Sequence, residues 1–447
     1  MKRTCFVALL VMAMVMLGSG APTPAGQAAL FQVGMAKVDL TPDPQAMSIT
    51  LNGYAGRGKQ PATGVLDPIY ARAMVITDPG KRELAILAMD LCFVNSEVRD
   101  MAVARLEPHG FGEHNLMITA THTHAAPSAY DRRWITAALM GPFDEAILNQ
   151  VVDGIVTAVL EAKRKQQPAQ IQYDVSELAD MNRSRRDPAF DVAVGTVEGV
   201  KPNPEKYQTD RRLTVFHITT PEGKPLGALV HFASHPTVLS PDNLQISADW
   251  PGVMNREIEK QLGENTVSMF VNGALGDAAP TPDWSTPEQE IKDTEKYGSQ
   301  MAAAVIARLP QTKPLRDAVV AGFTNRAVFD QVELQPLGGM PMHRGFSRVV
   351  YLRPDQPFQA VRLGHFVILG APGEPTTLAA RSLETLCNDG FHCLTAGPVN
   401  GYMGYFATPA VYDEGGYAAG ASFWGRDTVM KIKKALQPAA MVVQSDW

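Results

Sequence analysis

The chain is poor in several features that would have decided its class at once. It has only four cysteines in 447 residues, and no CxxC pair is among them. A thiolate zinc site is thereby excluded. It has no block of basic residues, and its formal net charge is −6 with a pI of about 6.0. Nucleic acid and anionic membrane surfaces are therefore poor partners. There is no HExxH, no GxSxG and no GxGxxG at a strand–helix junction. The common signatures of zinc proteases, serine hydrolases and dinucleotide enzymes are missing. An HxHxDH pattern is broken because Ala125 and Ala126 follow His124. No internal repeat, low-complexity tract or clear interdomain linker is visible, and beyond the N-terminus no apolar run is long enough to cross a bilayer.

The composition that remains, 45% apolar and 19% charged, is that of a globular protein with enough chain to bury a large core. Lys2 and Arg3 precede the apolar run CFVALLVMAMVMLG, and small residues follow, with a cleavage point near Ala28. Residues 1–29 are expected to be a secretory signal peptide, with an uncleaved anchor as the competing reading. Residues 30–447 are expected to form one catalytic domain, secreted or periplasmic. Cys387 and Cys393, in LCNDGFHC, are close enough to bridge a short loop in an oxidising compartment, whereas Cys92 reads as a buried thiol.

Buried strands are expected at 71–76, 83–90, 115–120, 213–219, 226–233, 266–272 and 365–371, because these runs are apolar with little alternation. Helices are expected over 142–165, 251–262 and 294–309. Strands and helices mix without a strict βαβ rhythm, so the fold class is α+β (mixed α/β), with layered sheets flanked by helices.

Four of these strands stop at turns rich in Gly, Pro or Ala: NLMITA-THTHAAP, LGALVHFA-SHPTVL, TVSMFVN-GALGDAAP and HFVILGA-PGEPTTL. Three of the turns begin with a metal-competent residue: His122 or His124, His235 and Glu374. Strand ends hold side chains rigidly beside open space. Two histidines and a glutamate from distant parts of the chain make a catalytic zinc shell, in which one histidine of the HxH pair binds metal and the other handles a proton. The competing readings are hydrogen-bonded turn residues for the histidines and a helix N-terminal carboxylate for Glu374.

THTHAAPSAY, NRSRRDPAF, HFASHPTVL, NGALGDAAP, APGEPTTLAAR and GYMGYFATPAVY, in this order, resemble the catalytic domain of the neutral/alkaline non-lysosomal ceramidases. GMAKVDLTP, NGYAGR, YARAMVI and MDLCFVNSEV extend the resemblance over nearly all of the expected mature chain. It implies Zn2+ held by His122, His235, Glu374 and Tyr405. It also implies contacts from His124 and Arg183 to the reacting amide and head group, and from Tyr417 to the substrate carbonyl. The implied reaction is hydrolysis of an N-acyl amide, ceramide or a related lipid, by a metal-activated water, with peripheral contact to a membrane or micelle surface. Two departures stand out. Ala279 occupies the place of a family serine, and the chain stops at Trp447 where family members usually continue into an immunoglobulin-like domain. An ester or a non-lipid amide as substrate, or a secreted binding protein without turnover, are the rival expectations.

Overall fold

The computed structural model describes residues 30–191, 195–334, 340–342 and 354–445. The expected signal segment lies outside them. Eight longer strands build the larger sheet: β1 (Leu30–Asp39), β2 (Tyr70–Thr77), β3 (Glu83–Met89), β4 (Leu116–Ala120), β5 (Gln167–Glu177), β6 (Arg212–Thr219), β7 (Pro225–Phe232) and β8 (Val267–Asn272). Their order is β8-β7-β6-β5-β1-β2-β3-β4, and the short strand Lys313–Pro314 pairs with β5. Both terminal pairs, β7–β8 and β3–β4, are parallel, and the pairs between them are antiparallel. A smaller sheet follows in the order β9 (Val320–Val328), β10 (Asp355–Leu363), β11 (Phe366–Gly370) and β12 (His392–Ala396), with β11 and β12 parallel.

The two sheets lie face to face, with helices on both outer sides. β2 shows why its sequence hardly alternates. Ala71, Ala73 and Val75 point to a core shared with α1 (Ser96–Leu106) and α2 (Glu145–Arg164), while Met74 and Ile76 point to a core shared with Val361, Phe366 and Ile368 of the smaller sheet. Period-two geometry sends neighbours to opposite faces, and here both faces are dry. At the far end of the larger sheet, α3 (Asp249–Leu262) and α4 (Pro287–Arg308) bury Trp250, Met254, Tyr297 and Met301 against β6 and β7. The smaller sheet's outer face is covered by α5 (Thr377–Glu384) and α6 (Thr428–Gln444). The layers therefore run helix, sheet, sheet, helix, as the sequence led us to expect. α4 opens seven residues earlier than the expected 294–309, because Thr286 caps the amide of Gln289 and Pro287 occupies the first turn. Cys387 and Cys393 are joined, with Cα atoms 6.0 Å apart.

Candidate metal centre

The larger sheet delivers two histidines to one point. Beyond β4, His122 takes a left-handed backbone (φ 73°), an unfavourable conformation for a residue with a Cβ. Its Nδ1 lies 2.5 Å from the Cys92 carbonyl, so that nitrogen carries the proton of the neutral ring and Nε2 keeps its lone pair. Beyond β7, the backbone amide of His235 donates to the Ala278 carbonyl at 3.0 Å, and its Nδ1 lies 3.1 Å from the same oxygen. Nε2 is again left facing inward. Asn272, at the end of β8, locks the two turns together: its Nδ2 donates to the Thr121 and Ser234 carbonyls, and its Oδ1 accepts from the Ser234 amide.

The smaller sheet delivers the rest. After β11, the chain makes a short parallel pairing that sets Glu374 opposite Tyr405. The Glu374 carboxylate is buried between both imidazoles, with Oε1 3.4 Å from His122 Nε2 and Oε2 3.0 Å from His235 Nε2. The Tyr405 hydroxyl lies 3.4 Å from His235 Nε2. The ligand atoms of His122, His235 and Glu374 all fall within 4.8 Å of one another. Bonds of about 2.0–2.2 Å from such nitrogen and oxygen donors would place one zinc-sized ion among them. Cys92, His122 and His124 form a second such group, but His122 Nδ1, the nitrogen nearest the thiol at 3.7 Å, is already held by the Cys92 carbonyl.

Electrostatics agree with a cation site. Burial pushes the His122 pKa down, but the Glu374 carboxylate and Cys92 together outweigh it, and the result is about 10. The pair thus holds one positive charge, either a proton on His122 or a cation in its place. Burial, aided by the charge of Arg185, pushes His235 down to about 3, which keeps its lone pair free. Burial also raises the hydroxyl of Tyr405, and the nearby Glu374 raises it further. His124 Nε2 lies 3.2 Å from His122 Nε2, and its buried Nδ1 has no hydrogen-bond partner. Burial and the surrounding positive charge hold His124 well below the ordinary histidine range, so it is neutral and able to accept a proton.

Next to this cluster lies a cavity of about 270 Å³, lined by His124 and Arg185 and walled by Tyr54, Phe190, Trp284, Tyr417 and prolines. Tyr417 stands on the wall, half exposed, with its ring edge-on to Tyr405 at 5.4 Å. Ala279 also faces the cavity, where it offers no hydroxyl. Arg183 lines the cavity away from the ligand atoms: its guanidinium pairs with Asp283 at 2.5 Å and covers the Phe190 ring. Two residues at the centre were not singled out from the sequence. Tyr402 donates its hydroxyl to Glu374 Oε1 at 2.5 Å, and Arg185 Nη1 lies 3.1 Å from His235 Nε2. The only hint of Tyr402 was its position three residues before Tyr405 in GYMGY; Arg185 follows Arg183 at the two-residue spacing that keeps an extended chain on one face.

Neutral ceramidase from Mycobacterium tuberculosis is 25% identical over 91% of this chain and 77% of that relative. Neutral ceramidase from Pseudomonas aeruginosa is 27% identical over 68% of this chain, and the match spans 45% of that protein. The crystal structure of the Pseudomonas aeruginosa enzyme superposes with a TM-score of 0.78 at 21% identity, covering 94% of this chain and 76% of that one. A ceramidase complexed with C2 superposes equally well. The fold is therefore shared with these structures. Residues 31–329, about two thirds of the chain, match the profile described as neutral/alkaline non-lysosomal ceramidase, N-terminal, and the chain belongs to that family.

Proposed function

We propose that the chain is a zinc-dependent hydrolase of an N-acyl amide bond, in ceramide or a related N-acyl lipid, acting outside the cytoplasm after removal of residues 1–29. One observation carries this reading: two imidazoles and a carboxylate from three distant strand ends converge within 4.8 Å, next to an apolar cavity lined by His124, whose buried Nδ1 has no hydrogen-bond partner. His122, His235 and Glu374 hold the ion, with Tyr405 as the fourth protein ligand. Such an ion polarises an acyl carbonyl and acidifies water. His124 takes the proton of the attacking water and delivers it to the leaving amine. Tyr417 donates to the carbonyl oxygen as it gains charge, and Arg183 orients the head group from the wall. Apolar walls receive the acyl chain. Ala279 removes any route through a serine ester at that position, so water is the nucleophile.

The test is metal analysis of the purified protein together with hydrolysis of a panel of N-acyl lipids, N-acyl amino acids and p-nitrophenyl esters, before and after chelation. Stoichiometric zinc, amide turnover lost on chelation, and turnover lost in His122→Ala are expected. Full amide turnover in metal-free protein would sink the proposal, and zinc without turnover on any acyl compound would favour the binding-protein alternative.

A further inference from the structure

Arg185 has no task in the chemistry just assigned, yet its guanidinium lies beside the ligand cluster. It belongs to a run, RSRR, whose other two arginines are neutralised: Arg183 by Asp283, and Arg186 by Asp277 and Glu414. Among the described residues Arg185 has no carboxylate at ion-pair distance. Its donors reach only neutral acceptors, His235 Nε2 at 3.1 Å, the Tyr405 hydroxyl at 3.3 Å and Thr237 Oγ1 at 3.5 Å. Glu374 acts on it through space, but that carboxylate is already engaged by His122, His235 and Tyr402. The backbone amide of Arg185 is tied to the Asp277 carbonyl at 2.8 Å, so the side chain is anchored at its root and opens into the cavity.

Arg185 is partly buried on the cavity wall, and a guanidinium partly withdrawn from water without a paired anion is costly to hold. An ion on His235 Nε2 raises that cost, since it takes one of the arginine's acceptors and adds a like charge a few ångströms away. The planar fork is built for a carboxylate. We propose that Arg185 binds a carboxylate carried by the substrate close to the scissile amide, on its amine side, so that N-acyl amino acids are preferred over neutral N-acyl amino alcohols. This rests on the hydrolase reading above and names its substrate class.

The test measures binding, so that it stands apart from turnover. Calorimetric titration compares two compounds that the site cannot cleave, N-dodecylsulfonylglycine and the matching N-(2-hydroxyethyl) sulfonamide, with and without chelation. Native protein is expected to bind the acid at least about tenfold tighter, the range of a charge-assisted pair. Arg185→Gln should bring that ratio to about one, and Arg185→Lys, which keeps the charge without the fork, should leave an intermediate ratio. Equal binding of the two compounds by native protein overturns the assignment, as does a ratio that survives in folded Arg185→Gln. If Arg185→Gln does not fold, the native and Arg185→Lys ratios decide by the same criteria. An intact ratio with no turnover of any acyl amide removes the hydrolase reading and leaves the carboxylate site standing. Turnover of N-lauroylethanolamine with a ratio of one removes the carboxylate site alone.

Discussion

At the scale of single residues, the proposed metal centre depends on side chains that touch His122, His235 and Glu374 as much as on those three. Tyr402 fixes one oxygen of Glu374 through a short hydrogen bond. Tyr402→Phe should weaken metal binding by about 10–100-fold, as loss of a ligand's hydrogen-bond partner does elsewhere; competition with a chromophoric chelator measures it, and unchanged affinity would refute the role. Gly53 has φ +93°, and a Cβ there would sit 2.2 Å from Cγ of His124. Gly53→Ala should displace that ring and lower kcat by about 10²-fold while the zinc content holds. An unaltered kcat would remove His124 as the proton carrier. His122, His235 and Glu374 were legible in the sequence because each is a metal-competent residue directly after a buried strand. Tyr402 was not, since a tyrosine between glycines gives no sign of a carboxylate that lies 28 positions away.

At the scale of elements, the ends of β4, β7 and β8 matter more than their middles. Asn272 is fully buried and serves the turns carrying both histidines. Asn272→Ala leaves two carbonyls and an amide without partners, and should cost roughly 2–4 kcal/mol of stability along with metal affinity. Chemical denaturation with zinc titration checks both; a loss of stability with native affinity would show that the turns are set by other contacts. Strands β2–β4 and β6–β8 of the larger sheet were readable because both of their faces are apolar; β1 and β5 were not expected, and β5 alternates buried with more exposed residues. β10 was not, since its buried polar residues break the pattern: Gln359 donates to the His114 carbonyl at 2.8 Å and accepts from Asn400 at 2.7 Å, and Arg362 donates to the Gly364 carbonyl. α6 was hidden by Pro438, which lies inside the helix and removes one backbone donor.

At the scale of the whole molecule, pH and the proposed metal would act on the same pair, His122 and Glu374. In metal-depleted protein, His122 titrates near 10 when folded against an ordinary 6.5, so its contribution to stability is complete below about pH 6.5 and fades as pH rises towards 10. Glu374 is held well below its ordinary 4.5, so its contribution is present above that value and is lost as pH falls below it. Melting temperature of the depleted protein should therefore peak between about pH 4.5 and 6.5 as far as this pair governs it. A zinc-induced rise in melting temperature should grow from there towards pH 8 as protons compete less. At pH 7.5, binding should release about one proton per ion, measurable in buffers of different ionisation enthalpy.

His122 and His235 hang from one sheet, Glu374 and Tyr405 from the other, and the space between those layers is filled by an apolar cluster crossed by polar ties such as His231 Nε2 to the Thr395 carbonyl at 3.0 Å. A slide of one layer past its neighbour by an ångström or so would leave helicity intact while pulling the donors apart. In a urea series, turnover should consequently vanish before far-UV ellipticity changes, and added zinc should draw the two midpoints together.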